Sequence, residues 1–520
     1  MPSALALAAT AIAVIYSFLR ALVYLRHDSR EPKPIVGAIP YLSPLFGMLI
    51  EQDKFYKRMR DETHLPIYTL NIPGVPVYIV NSLEVLQRVD RHIDTLPFAP
   101  MKAQTCKKVC SVSQAGISKI YGNNLLAQDG YLYSHQRASA QAGAPGASLN
   151  ALSRSASKVF AAAFDRVEAR GRTAVDLYEF VHDATFNATT DAMYGPHNPF
   201  RTEKNLNDWA IFEAGLPMLF LGFLPNILAR RACKARQRLV AAFIDYFGND
   251  KHLDGGSLFV QLTNKVNDDT GLSLVDKARI EVGQVAAATF NTAPGAYWCV
   301  WAILSDPVVF KDCMKEVMRL VDEVNGTHTI DLARVRTECP LLVSTLQEVM
   351  RFYGTAASLR LIYEDTMLGD EYLLKKGGAV LMPNAMFHTD ETLWGPSVGE
   401  FDHTRFLKAG HRKSSTKHPA AAFRGFGGGH VLCPGRHLAS TEMLALMALI
   451  LVRVDVVPPG GEWPAAPIGL SAGRALPLPS KRILVDFIPR AAGKWRVIFT
   501  DKDNSGVNLV AEDMQYQQLK

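Results

Sequence analysis

The densest chemical signal in this chain is one ten-residue run, Phe426-Gly427-Gly428-Gly429-His430-Val431-Leu432-Cys433-Pro434-Gly435. By chance, Phe426, Gly429, Cys433 and Gly435 would fall at these offsets in about one chain in six hundred of this composition, so a buried structural cysteine beside a glycine turn is a poor account of them. Glycines remove side chains where backbone must lie flat against a wide planar ligand. Pro434 suits the first position of a helix, where it has no N–H to leave unpaired. That puts Cys433 at a helix N-terminus, where the dipole and free N–H groups stabilise a thiolate.

A second stretch joins small residues to a hydroxyl and a proline: Ala286-Ala287-Ala288-Thr289-Phe290-Asn291-Thr292-Ala293-Pro294. The alanines let a helix pass close over a flat surface. Pro294 cannot donate to the Phe290 carbonyl and its ring clashes with it. The helix should bulge there, leaving a groove and a free carbonyl. Thr292 offers a hydroxyl at that point. Asn291 precedes it, and an amide cannot shuttle a proton as a carboxylate does. Glu348 and Arg351 share one helix face, a spacing that arises by chance about once in such a chain and means nothing alone.

Together these residues resemble the cytochrome P-450 family. The glycine–cysteine run looks like its haem-binding signature, with His430 where the family usually has Arg; either residue can donate to a haem propionate. The resemblance implies haem b with Cys433 as its thiolate axial ligand, framed by Phe426, Gly427 and Gly435. A thiolate pushes electron density into haem iron and favours O–O cleavage. Thr292 and Asn291 fall in the stretch that resembles the family's oxygen-activating helix. Arg137, in Gly130-Tyr131-Leu132-Tyr133-Ser134-His135-Gln136-Arg137, and Arg360, in Ser358-Leu359-Arg360, stand where propionate ligands are often found. Glu348, Arg351 and Arg405 resemble a structural Glu–Arg–Arg triad locked by charge-assisted bonds.

Asn-Thr followed by Pro resembles the branch that holds bile-acid-pathway sterol hydroxylases and prostacyclin synthase. The resemblance therefore implies a monooxygenase, with a haem-thiolate isomerase or dehydratase as the alternative and a non-catalytic haem-binding membrane protein as a third reading. A monooxygenase of this kind takes electrons from an NADPH-dependent cytochrome P-450 reductase and hydroxylates a lipophilic small molecule of sterol, terpenoid or alkaloid type. The style of the chain resembles fungal enzymes of specialised metabolism. The apolar stretch 216–225 would, in this family, roof a substrate pocket and can touch membrane; ordinary core packing explains it equally well.

The elements that must position these residues can be read coarsely. The 520 residues are 48% hydrophobic and carry a net charge of +6, too mild for the concentrated basic face that nucleic acid requires. The run Arg230, Arg231, Lys234, Arg236, Arg238 could meet acidic lipid or simply be solvated. Seven scattered cysteines form no zinc pattern and suit reduced thiols. Residues 2–19 are uncharged and mostly apolar, enough with residues 21–25 to span a bilayer. The basic residues after them place the rest in the cytosol. The expectation is a single-pass anchor (1–25) in the endoplasmic reticulum membrane and a stiff Pro-rich linker (26–40). A mainly α catalytic domain with small β-sheets (41–490) and a tail (491–520) follow. Strands are expected over 65–81, around 356–382 and over 482–499. Helices are expected over 151–168, 176–194, 230–247, 275–304, 307–325 and 436–453.

Overall fold

The computed structural model describes residues 4–408, 418–471, 473–490, 494–501, 505–510 and 513. Local rules explain most of the elements. Pro73-Gly74 closes a hairpin between Ile67–Ile72 and Val75–Val80, with Gly74 at φ +85°. Asp306 caps the helix Pro307–Met318 by accepting from the amides of Val308 and Val309, with Pro307 at its first position. That helix stops well short of residue 325. Strand Val321–Val324 follows and pairs with Thr327–Asp331 across Asn325-Gly326, both in positive φ. Asn-Gly is a strong hairpin signal, and it overrides the helical expectation for 319–325.

The chain forms two compact units, interleaved in sequence. The first holds residues 1–101, 355–398 and 417–432. Its five-stranded sheet runs Pro34–Ile35, Ile67–Ile72, Val75–Val80, Ala379–Pro383, Ala357–Leu361. Tyr68, Tyr78, Ile79, Val80, Leu86, Val380 and Phe387 are fully buried in its core. The middle of the expected stiff linker (26–40) is sewn to this sheet. Pro34 and Ile35 pair with Thr69 and Leu70, Thr69 donates to the carbonyl of Pro32, and Tyr78 donates to buried Glu31. A proline-rich segment is stiff, but here its carbonyls find strand partners. Before it, helix Ala4–Leu25 is long and apolar enough to cross a membrane and is almost wholly exposed.

The second unit holds residues 102–354, 399–416 and 433–520 and is mainly helical. Its centre is helix Arg436–Arg453, buried on nearly every side from Ser440 onward. Helices Ala147–Arg170 and Thr292–Ser305 pack on it. The expected helix 275–304 is two helices, Leu274–Thr289 and Thr292–Ser305, broken at Phe290-Asn291. The break lies one turn before Pro294, where the missing N–H and the ring clash require it.

Of the tail expected over 491–520, the described residues 494–501, 505–510 and 513 belong to the second unit. Strand Lys494–Ile498 pairs in parallel with Thr327–Asp331, and Val507, Leu509 and Val510 are buried. The basic run divides: Arg236 is buried and donates to the Val109 carbonyl, and Arg238 pairs with Asp208.

Candidate functional site

At the helix break of the second unit, Thr292 is buried and its Oγ1 donates to the Ala288 carbonyl at 2.8 Å. Pro294, four residues after Phe290, has no N–H to give its carbonyl. Asn291 Oδ1 accepts from the amide of Ala475 at 2.8 Å, so its amide braces the break against a distant segment. The buried Arg474 guanidinium lies 3.8 Å over the Phe290 ring and forms an ion pair with Glu213 at 3.6 Å. Gly295, a turn on, lets this helix meet the one after Cys433: a Cβ there would come within 2.9 Å of Met443 Cε. The threonine and cysteine segments are thus carried by helices in direct contact.

Cys433 sits two residues before the cap of helix Arg436–Arg453, not at its first turn; Pro434 and Gly435 form a turn between them. Burial pushes the Cys433 thiol above its usual range, while the amides of Gly435 and Arg436 and the Arg436 charge favour the thiolate. Desolvation therefore outweighs the helix-end effect, and coordination to a metal is what would take this proton off. Gly435 has a negative φ and open space where a Cβ would stand. Neither backbone strain nor packing explains that glycine, which fits the approach of a flat group. The other glycines have different reasons. Gly427 and Gly429 hold positive φ, and Gly428 lies against the Arg424 guanidinium.

In the first unit, Asp90 joins two buried arginines, accepting from Arg360 Nη2 and from Arg424 Nη1, both at 2.8 Å. Burial lowers the pKa of Arg360. After these bonds, Arg360 Nε, Arg424 Nε and Arg424 Nη2 remain buried without a hydrogen-bond partner among the described residues. Leaving buried cationic donors unpaired is costly unless an anion takes them. Two guanidiniums against one carboxylate form a site for an acid-bearing group, and haem, with its propionates, fits it. Phe426 is buried in this unit, and His430 is exposed on the short turn Gly429–Val431. Arg137 is exposed; it donates to the Gln128 carbonyl and to Ser134.

The triad forms as its residue types required. Glu348 takes two bonds from Arg351 at 2.7 and 2.8 Å and two from Arg405 Nε at 3.1 Å, and it accepts the Asp402 amide at 3.0 Å. All three side chains are at most 3% exposed, so this is a fully desolvated network. Sequence reasoning missed Arg424, Asp90, Arg436 and Asp513. Arg424 stands two residues before Phe426, and that closeness was its only sequence signal.

Comparison with known proteins matches the cytochrome P450 family model to residues 32–487. A cytochrome P450 monooxygenase of Hypoxylon pulicicidum, nodJ, is 29% identical over 449 residues, covering 84% of this chain and 85% of that protein. The 7-alpha-hydroxycholest-4-en-3-one 12-alpha-hydroxylase of Oryctolagus cuniculus is 23% identical, over 84% of this chain and 89% of its own. The solved structure of retinoic acid-bound cyanobacterial CYP120A1 superposes with a TM-score of 0.67 at 18% identity, covering 88% of this chain and 99% of that one. The glycine–cysteine turn, the broken helix and a family match over most of the chain converge: this protein belongs to the cytochrome P450 family, the haem-thiolate monooxygenases.

Proposed function

We propose that Cys433 ligates the haem iron, that Arg360 and Arg424 hold its propionates with Arg137 and His430 as further donors, and that Phe426, Gly427 and Gly435 frame it. The enzyme then hydroxylates a lipophilic small molecule with electrons from an NADPH-dependent cytochrome P450 reductase. The observation that carries this reading is the direct packing of the Thr292 helix on the helix that follows Cys433, with Gly295 against Met443. Bound there, haem supplies dioxygen activation and the transfer of one oxygen atom to a C–H bond.

The chain's own residues then have separate tasks. The amides of Gly435 and Arg436 favour the thiolate form of Cys433. Thr292 Oγ1 holds a proton beside the broken turn, now given to Ala288; a change of χ1 releases it for delivery. Asn291 has no titratable proton, and its carbonyl oxygen is held by Ala475, so it braces rather than relays. The stretch 216–225 supplies an apolar wall, with Phe220 and Phe290 rings 6.4 Å apart. A sterol-hydroxylating relative supports a substrate of sterol, terpenoid or alkaloid size. Residues 1–25 anchor the enzyme as a single pass in the endoplasmic reticulum membrane, with the catalytic body cytosolic.

The test is turnover with reductase, NADPH and labelled dioxygen across a panel of apolar substrates, beside the spectrum of the reduced carbon monoxide complex. Wild type is expected to give the red-shifted Soret band and label in the product; Cys433→Ser is expected to lose the band. An unchanged band in that variant refutes the assignment of the sulfur. Asn291 in place of an acid favours one second reading, an isomerase or dehydratase working on an already oxygenated substrate. Product formed without reductase and without label would select it.

A further inference from the structure

The family match ends at residue 487, but the chain continues and returns to the cysteine. Thr500 donates twice to Asp331, at 3.1 Å from its amide and 2.6 Å from its hydroxyl. Arg336 lies 5.0 Å over the Phe499 ring, and Gln347, beside Glu348, donates to the Leu509 carbonyl at 2.9 Å. Gly506 is pressed so close to His437 that a Cβ would fall 2.6 Å from its ring nitrogen. The segment ends, among the described residues, at Asp513.

Asp513 is buried and fully engaged. Its Oδ2 accepts the amides of Leu509 and Val510, and its Oδ1 accepts Arg436 Nε at 3.0 Å and Nη2 at 2.8 Å. Arg436 in turn gives Nη1 to the carbonyl of Cys433 at 3.2 Å. One guanidinium thus connects the Asp513 side-chain carboxylate to the backbone of the cysteine. The pair is only partly open to water, with Arg436 19% and Asp513 3% exposed, so solvent screens it weakly.

We propose that Asp513 is a positioning residue for Cys433: it holds Arg436 against the cysteine carbonyl and cancels that charge, so the C-terminal segment sets how strongly the sulfur donates to the iron. This rests on the assignment of Cys433 as ligand. Removing Asp513 leaves a cation beside the sulfur, which favours the reduced, more negative state of the centre. Removing Arg436 leaves an anion there and has the opposite effect.

The experiment uses the full chain loaded with haem and compares wild type, Asp513→Asn, Arg436→Gln and the double variant. It reads the ferric/ferrous midpoint potential and the lifetime of the red-shifted carbon monoxide complex. Asp513→Asn is expected to move the potential positive and Arg436→Gln negative, a pair of signs that general loosening cannot produce. Each single variant is expected to shorten the lifetime about 10-fold, as the loss of a charge-assisted hydrogen bond does. The double variant is expected to lose no more than the worse single, because one contact is broken once. Shifts of the same sign, no shift, or lifetime losses that multiply overturn the proposal. Should Asp513→Asn fail to accumulate, Asp513→Glu keeps the charge and is expected to retain the native spectrum; failure of Glu as well overturns it. A wild-type spectrum without thiolate character removes the Cys433 assignment itself, and the proposal with it.

Discussion

Glu442 lies on the helix that begins after Cys433, 2% exposed, and Thr189 Oγ1 donates to its Oε2 at 2.8 Å. Its other oxygen has no hydrogen-bond partner among the described residues. Burial pushes this carboxyl from 4.5 up to about 8, the Thr189 bond opposing only in part. The sign follows from proton binding. Between pH 4.5 and 8 the folded state keeps a proton that the unfolded state has lost, so stability falls as pH rises through that window. Each pH unit removes about 1.4 kcal/mol, which makes the loss on the order of 4 kcal/mol by pH 8. Glu442→Gln keeps the shape and the acceptor for Thr189 but has no proton to lose. Near pH 5 the two proteins should unfold alike. By pH 8 the variant should be the more stable by about 4 kcal/mol, and above that the difference should level off. Urea midpoints of both proteins at pH 5, 6, 7 and 8 read this directly. Parallel midpoints across that range would show that water reaches the carboxylate and that the helix carries no proton-dependent strain.

Two further outcomes follow from the site. Thr292→Ala removes a hydroxyl that donates back across the helix break to the Ala288 carbonyl, so stability should change by no more than about 1 kcal/mol. Peroxide released per NADPH consumed should rise while product falls; tight coupling in that variant would mean protons arrive by another route. Arg424→Leu removes two unpartnered donors and leaves Asp90 with Arg360. Haem bound per protein should drop several-fold with the fold retained by circular dichroism; full haem content would place the propionates elsewhere.

Much of this molecule was legible where the physics is local. The break at Phe290-Asn291 follows from a proline four residues after a carbonyl. The hairpin at Pro73-Gly74 follows from its turn residues. Asn325-Gly326 was equally local, and the helical pattern before it was carried too far across it. Arg360 was nominated only by resemblance. Its partner Asp90, and Arg424 that shares it, could not be found by spacing, because Asp90 lies 270 and 334 positions from the two arginines. Arg137 was likewise nominated by resemblance, and its guanidinium donates to the nearby Gln128 carbonyl and Ser134.

Residue types and short spacings alone determined the cysteine turn, the helix break and the apolar N-terminal helix. In each case the determining interaction lies within a few residues or within the side chain itself. Only the tertiary structure decided that Pro34 and Ile35 of the proline-rich segment join a sheet and that two arginines share one aspartate. It alone decided that the C-terminal segment closes on Arg436. A buried charge or an unpaired carbonyl must find a partner, but which partner depends on the surfaces that folding brings together.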